Sequence, residues 1–210
     1  MIDSNPFSTR YVQPGRIPFQ LRSGVTVEQL IDSFLRVSPR QAAIVGPHGS
    51  GKSSLLETIL KSFPGNYQIS QFRLNSDSAR SEGSISRWVR EGHCWNESTI
   101  VTIDGYEQLG WWAQYRIGRM IKKNESRLLV TTHKPIRSFS VLWTTQQDSQ
   151  DDAYVLNKLL GHTQQLTASP TLMDEAIMRW SEIRLSYPTD MREALMQMYD
   201  WWEKKTARNF

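Results

Sequence analysis

The octad Gly46-Pro47-His48-Gly49-Ser50-Gly51-Lys52-Ser53 has the spacing GxxxxGKS, and its surroundings give that spacing meaning. The apolar run Ala42-Ala43-Ile44-Val45 precedes it and Ser54-Leu55-Leu56-Glu57-Thr58-Ile59-Leu60 follows, so the pattern predicts a strand, a glycine-rich loop and a helix in that order. Glycines let a backbone curl until successive N–H groups face one anion, and the following helix adds the positive end of its dipole. In such a loop Lys52 reaches the β- and γ-phosphates and the Ser53 hydroxyl ligates Mg²⁺. Residues Gly46, Pro47, His48, Gly49, Ser50, Gly51, Lys52, Ser53 and Ser54 are therefore candidate contacts of a nucleoside triphosphate.

A chain of 210 residues suffices for one sizeable core, or for one core with a small appended subdomain. With 39% apolar and 22% charged residues it reads as an ordinary soluble globular protein. The formal charge of +4 tolerates an anionic partner without requiring one. The single cysteine, Cys94, excludes an intramolecular disulfide, and its neighbour His93 belongs to no cluster of zinc spacing. The N-terminus lacks the basic and apolar regions of a signal peptide, and no apolar run approaches membrane-spanning length. The expected compartment is the cytoplasm, with no membrane partner.

Along the chain, Pro6, Pro14, Gly15, Pro18 and Gly24 predict an extended, helix-free arm over residues 1–24 that packs Phe7, Tyr11 and Phe19 on the body. Val27, Leu30, Ile31, Phe34 and Leu35 recur at helical spacing behind a Thr26/Gln29 capping box, and Pro39 ends that helix near Val37. Strands are predicted at Gln41–Val45, Tyr67–Leu74, Thr99–Asp104, Arg127–Thr132 and Ser140–Thr145. The phosphate loop's helix runs from about Gly51 to Phe63, another from about Leu109 to Lys123. A polar loop over Asn75–Gly83 and a short helix over Ile85–Arg90, anchored by Trp88 and Val89, lie between the second and third strands. Three helices close the chain, near Asp151–Leu160, Thr171–Leu185 and Asp190–Lys204; in the last two, Met173, Ile177, Trp180 and Arg184, then Met191, Leu195, Met198 and Trp202, recur at helical spacing.

Hydrolysis of a phosphoanhydride needs a metal-side carboxylate, a residue to handle the attacking water, and positive charge on the γ-phosphate. Asp104, ending the β-branched run Thr99-Ile100-Val101-Thr102-Ile103, is the metal-side candidate; capping the turn before Gly105 is the competing role. Glu107 could act as general base and Gln108 could position the water, although both also suit the first turn of a helix. Thr131 and Thr132 end the next strand, where a hydroxyl can bond the γ-phosphate or the water, and His133 can do so as a neutral donor.

In this order of parts the chain resembles the AAA+ P-loop ATPases, especially the origin-recognition, clamp-loader and signalling-switch branch. Gly46 to Ser53 resembles Walker A, Ile100 to Asp104 resembles Walker B, and Thr131-Thr132 stands at the position of a first polar sensor. Thr189-Asp190-Met191-Arg192-Glu193-Ala194-Leu195 is similar to the G-D-x-R-x-A-L motif opening a lid helix, which implies that Arg192 reaches the γ-phosphate. The resemblance covers roughly residues 26–205. It departs from the pattern where the acid beside Asp104 is displaced to Glu107, where Thr189 replaces glycine, and in a short link from Thr132 to Ser140 whose one arginine is Arg137. No LSGGQ-like signature stands between the Walker motifs, which argues against an ABC-type ATPase.

The expected architecture is a three-layer α/β P-loop domain with a parallel sheet over residues 1–147, followed by a helical lid over 148–210. The resemblance implies an ATPase switch in which Lys52, Ser53 and Asp104 hold Mg²⁺ and ATP, Glu107 or His133 handles water, and Arg192 couples the γ-phosphate to the lid. A small-molecule or nucleoside kinase is the alternative, with Asp77, Arg80 and Glu82 as its acceptor-side residues, and a module that binds ATP with little turnover is a third. Trp111-Trp112 and Trp201-Trp202 each put one ring on a helix's buried side and one nearer solvent. Arg116, Arg119 and Lys123 share a face, which is either solvated or contacts an acidic protein or nucleic-acid phosphates. A protein partner or self-association is expected as well.

Overall fold

The computed structural model describes residues 5–13, 16–22, 24–74, 94–146, 149–163 and 170–207. The loop over Asn75–Gly83 with Asp77, Arg80 and Glu82, the helix over Ile85–Arg90 with Trp88 and Val89, and His93 lie outside the described residues. The elements are α1 (Thr9–Val12), α2 (Val27–Arg36), β1 (Gln41–Val45), α3 (Lys52–Lys61), β2 (Gln68–Arg73), β3 (Thr99–Asp104), a 3₁₀ turn (Tyr106–Gln108), α4 (Trp111–Lys123), β4 (Arg127–Thr132), β5 (Ser140–Thr144), α5 (Ser149–Thr163), α6 (Pro170–Ser186) and α7 (Met191–Ala207). The chain divides into two compact units, Leu21–Gly46 with Leu56–Thr145, and Met1–Gln20 with Pro47–Leu55 and Gln146–Phe210.

The first unit holds a five-stranded sheet in the order β2-β3-β4-β1-β5, every pair parallel. Its three inner strands are the most continuously apolar ones, because a parallel strand is covered on both faces. All six residues of β3 are buried, as are all but the first of β1 and of β4. On one face Ala43, Val45, Val101, Ile103, Leu128 and Val130 pack against Ala113, Ile117 and Ile121 of α4. These three recur every fourth position, so they form one stripe along the helix. Ile117 and Ile121, each 2% exposed, contribute about 1.5–3 kcal/mol apiece by leaving water.

The strands exit together along one edge. Val45 lies opposite Thr132 in the β1–β4 pair, Ile103 opposite Val130 in the β3–β4 pair, and Arg73 opposite Asp104 in the β2–β3 pair. Thr26 and Gln29 form the expected capping box at the start of α2. The helix expected from Leu109 starts at Trp111 instead. Gly105 takes a left-handed φ of +84° directly after β3, and the chain makes its 3₁₀ turn before Gly110 caps α4. A Cβ at Gly105 would stand 3.0 Å from the Leu74 carbonyl, so glycine meets both the conformation and the space.

The expectation for Trp111 and Trp112 does not hold. Both are exposed, stacked on each other with centroids 4.1 Å apart, because Ala113, Ile117 and Ile121 occupy the buried stripe and neither indole falls on it. Trp201 and Trp202 do divide as expected: Trp202 is buried and Trp201 only partly so.

In the second unit α5, α6 and α7 share a core of Leu156, Leu159, Leu160, Ala176, Trp180, Ile183, Ala194, Met198 and Trp202, joined by Phe7. The N-terminal arm is not wholly extended: Ser8 opens the single helical turn α1. The Asn5 amide donates to the Tyr199 carbonyl at 3.1 Å and to Glu203 at 2.8 Å, while its oxygen accepts from the Phe7 N–H. That anchorage sets Phe7 edge-on to Trp202 at 5.8 Å. Ile177, expected on the buried stripe of α6, is 47% exposed, while Ala176 and Ile183 are buried. Arg184 is buried as a charged anchor, its Nε donating to Asp152 at 2.9 Å and its guanidinium also donating to the Tyr187 and Pro188 carbonyls in the turn toward α7.

Candidate functional site

The phosphate loop leaves β1 where the Gly46 N–H donates to the Thr132 carbonyl. Gly49 and Gly51 then adopt φ of +69° and +83°, a region that L side chains rarely enter. The loop folds onto its own carbonyl: the Ser50 hydroxyl donates to Pro47 O at 2.8 Å and the Lys52 ammonium donates to the same oxygen at 2.5 Å. Lys52 is 8% exposed. A buried ammonium needs partners, and here a loop carbonyl is one of them. The first α3 turn closes with the Leu55 N–H donating to Gly51 O at 2.8 Å.

Two further segments of the same unit crowd the loop. A Cβ on Gly51 would stand 2.9 Å from the Phe19 ring, which brings the N-terminal arm against it. A Cβ on Gly49 would stand 2.7 Å from Asp190 Oδ1 and 3.0 Å from the Met191 backbone nitrogen. Asp190 caps α7, its Oδ1 accepting from the Arg192 and Glu193 N–H groups at 3.1 Å each. The motif singled out for Arg192 therefore opens a helix whose first turn adjoins the phosphate loop, and the Arg192 side chain itself is exposed.

In the sheet unit the strand ends collect carboxylates and hydroxyls. Asp104 is buried; its Oδ1 accepts from the Thr131 hydroxyl at 2.6 Å and its Oδ2 lies 3.6 Å from the Arg73 guanidinium. The Thr131 oxygen accepts in turn from the Gly105 N–H at 2.8 Å, so strand end, carboxylate and following turn are fixed together. Arg73 also pairs with Glu57 of α3 at 2.8 Å. Glu107 and His133 are brought together, Oε1 to Nε2 at 2.9 Å, each side chain a little over a quarter exposed. Thr132 is buried, and its hydroxyl donates to the Lys134 carbonyl at 3.1 Å.

Of the two threonines, it is thus Thr131 whose hydroxyl meets Asp104. Sequence reasoning did not single out Arg73, Glu57 or the Phe19 contact. Arg73 carried only a partial signal: it stands next to the end of the strand predicted at Tyr67–Leu74, and parallel strands present their last residues at one edge, but its pairing opposite Asp104 comes from the β2–β3 register.

No protein-family model and no curated protein sequence matches the chain. Solved structures of similar fold do. The structure of C. elegans PCH-2 superposes with a TM-score of 0.56 at 11% identity, over 98% of this chain and 74% of that one. A replication initiator DnaA bound to AMPPCP and single-stranded DNA superposes with a TM-score of 0.52 at 10% identity, over 91% of this chain and 67% of that one. With its parallel sheet, phosphate loop and C-terminal helices, the chain has the AAA+ P-loop NTPase fold.

Proposed function

We propose that the chain binds ATP with Mg²⁺, hydrolyses it to ADP and phosphate, and uses the bound nucleotide as a conformational switch. The observation that carries this reading is the buried Lys52 ammonium, turned onto the carbonyl of its own glycine-kinked loop at the start of α3. Such a loop supplies backbone N–H groups, a helix N-terminus and one positive charge to a phosphate chain. Ser53 would offer its hydroxyl and Asp104 its carboxylate to Mg²⁺, which takes few protein ligands and fills its shell with water and phosphate oxygens. When bound, the ion neutralises charge on the β- and γ-phosphates.

The remaining roles belong to side chains. Thr131 holds Asp104 by one short hydrogen bond. Glu107 is the candidate to accept a proton from the attacking water, with His133 orienting its carboxylate. Arg192, in the first turn of α7, would bring positive charge to the γ-phosphate and so couple nucleotide state to the C-terminal helices. The adenine preference rests on the fold likeness alone.

The 2.9 Å Glu107–His133 contact also favours a second reading, in which ATP is held with little turnover until a partner frees the carboxylate. Two measurements on the purified chain separate these readings: calorimetric binding of Mg·ATP and release of inorganic phosphate, each with Lys52→Ala alongside. Binding and release that both vanish in Lys52→Ala support the hydrolase. Binding without release supports the module, and binding that survives Lys52→Ala refutes both.

A further inference from the structure

The solvent side of α4 carries side chains that the nucleotide reading leaves unused. Trp111, Trp112 and Tyr115 are 67%, 62% and 54% exposed. The two indoles stack with planes 26° apart, and Tyr115 meets Trp112 edge-on at 6.3 Å. Arg116, Arg119, Lys122 and Lys123 stand exposed among them, and α4 contains no Asp or Glu.

Their arrangement is specific. Trp111, Tyr115, Arg119 and Lys123 follow one another at four-residue steps, one row along about 18 Å of helix. Trp112, Arg116 and Lys122 flank that row, so rings and charges alternate around the side opposite Ile117. The carboxylates at the two ends of the helix are engaged elsewhere, Glu107 with His133 and Glu125 with Arg40. The face therefore offers stacking planes and positive charge within one turn of each other.

We propose that this face of α4 binds single-stranded nucleic acid, with bases stacking on Trp111, Trp112 and Tyr115 and phosphates held by the neighbouring arginines and lysines. A single strand alternates a planar base with an anionic phosphate, and aromatic platforms beside a basic track are the recurring way proteins hold one. A duplex keeps its bases stacked on each other and would use only the charges. An acidic polypeptide would likewise pair with the cations and leave the rings without planar partners.

The test uses the full chain without nucleotide, so its failure leaves the ATP reading untouched. Labelled oligothymidylate and oligouridylate strands of about 15 nucleotides, a duplex of equal length and polyglutamate are titrated, following anisotropy and tryptophan emission. Both strands should bind with quenching of tryptophan emission, the duplex and polyglutamate at least about tenfold more weakly; the tighter of the two strands identifies DNA or RNA as the source. Trp111→Ala with Trp112→Ala should weaken binding about 10- to 100-fold, whereas the double Phe variant retains it. Arg119→Gln with Lys123→Gln should reduce the slope of log affinity against log salt by about 1.4. Both indoles lie outside the core, so the alanine variant should keep its far-ultraviolet circular dichroism, and the glutamine variant tests the face separately. Absence of strand binding at low salt, equal binding of duplex or polyglutamate, or undiminished binding by the double alanine variant would overturn the proposal.

Discussion

Replacing Gly49 with alanine tests the packing of α7 on the phosphate loop. Gly49 has a φ of +69°, and a left-handed conformation costs a side-chain-bearing residue about 1–2 kcal/mol. Alanine returns about 0.4–1 kcal/mol by restricting the unfolded chain. The new methyl would lie 2.7 Å from Asp190 Oδ1, 3.0 Å from the Met191 nitrogen and 3.2 Å from the Asp190 Cα. Two of these atoms are backbone, so the start of α7 must shift, at about 1–3 kcal/mol for overpacking. Together these give a loss of about 1–4.5 kcal/mol, or about 2–18 °C in Tm for a chain of this size. Urea unfolding followed by circular dichroism reads it against two controls. Gly24→Ala has a φ of +89° with nothing within 4 Å, and so isolates the backbone cost. Gly65→Ala has neither constraint and should be neutral or slightly stabilising. If Gly49→Ala is no less stable than Gly24→Ala, the loop and α7 are not packed as described.

Other outcomes follow from the sheet unit. Thr131→Val removes a 2.6 Å bond to a buried carboxylate and should cost about 1.5–3 kcal/mol in urea unfolding; a change under about 0.5 kcal/mol would show that Asp104 finds another donor. Glu107→Gln should bind Mg·ATP normally yet trap it unhydrolysed, and normal phosphate release would remove Glu107 from the mechanism. Burial pushes the Tyr106 phenol up to about 12 from its ordinary 10.0. The folded state keeps a proton that the unfolded chain gives up, so this contribution is complete below about pH 10 and is lost as pH rises through about 12, some 2–3 kcal/mol in all. Tyr106→Phe should flatten the fall in stability over that alkaline window, and an unchanged pH profile would refute the assignment.

The inner strands were legible because burial on both faces leaves a continuous apolar signature. The bounds of β1, β3 and β4 follow directly from Ala42–Val45, Ile100–Ile103 and Leu128–Val130. The helix ends were less so. The 3₁₀ turn after β3 depends on a left-handed Gly105 held under the Leu74 carbonyl, and composition does not reveal which glycine is so placed. The exposed tryptophan pair misled for a related reason. Two large adjacent apolar residues suggest that one is buried, yet the small Ala113 with Ile117 and Ile121 provides the face that fits against the sheet.

At the candidate site the distinction runs between local and tertiary information. The phosphate loop is local, and its glycines, lysine and serine could be read without a fold. The choice between Thr131 and Thr132 is not, since adjacent strand residues point to opposite faces and only the β3–β4 register sets one beside Asp104. Asp190 combines both kinds. Its spacing to Glu193 is a readable helix-start signal, and its oxygen does accept from the Glu193 N–H as such a cap should. That the same oxygen also walls the side of Gly49 joins two segments distant in sequence, which no local pattern encodes. An aspartate that both starts α7 and limits the loop ties the first turn of that helix, and with it the backbone of Arg192, to the conformation of the loop. Replacing Asp190 with asparagine keeps the cap and the contact while removing the charge, so it should preserve stability to within about 0.5 kcal/mol where alanine costs about 0.5–2 kcal/mol.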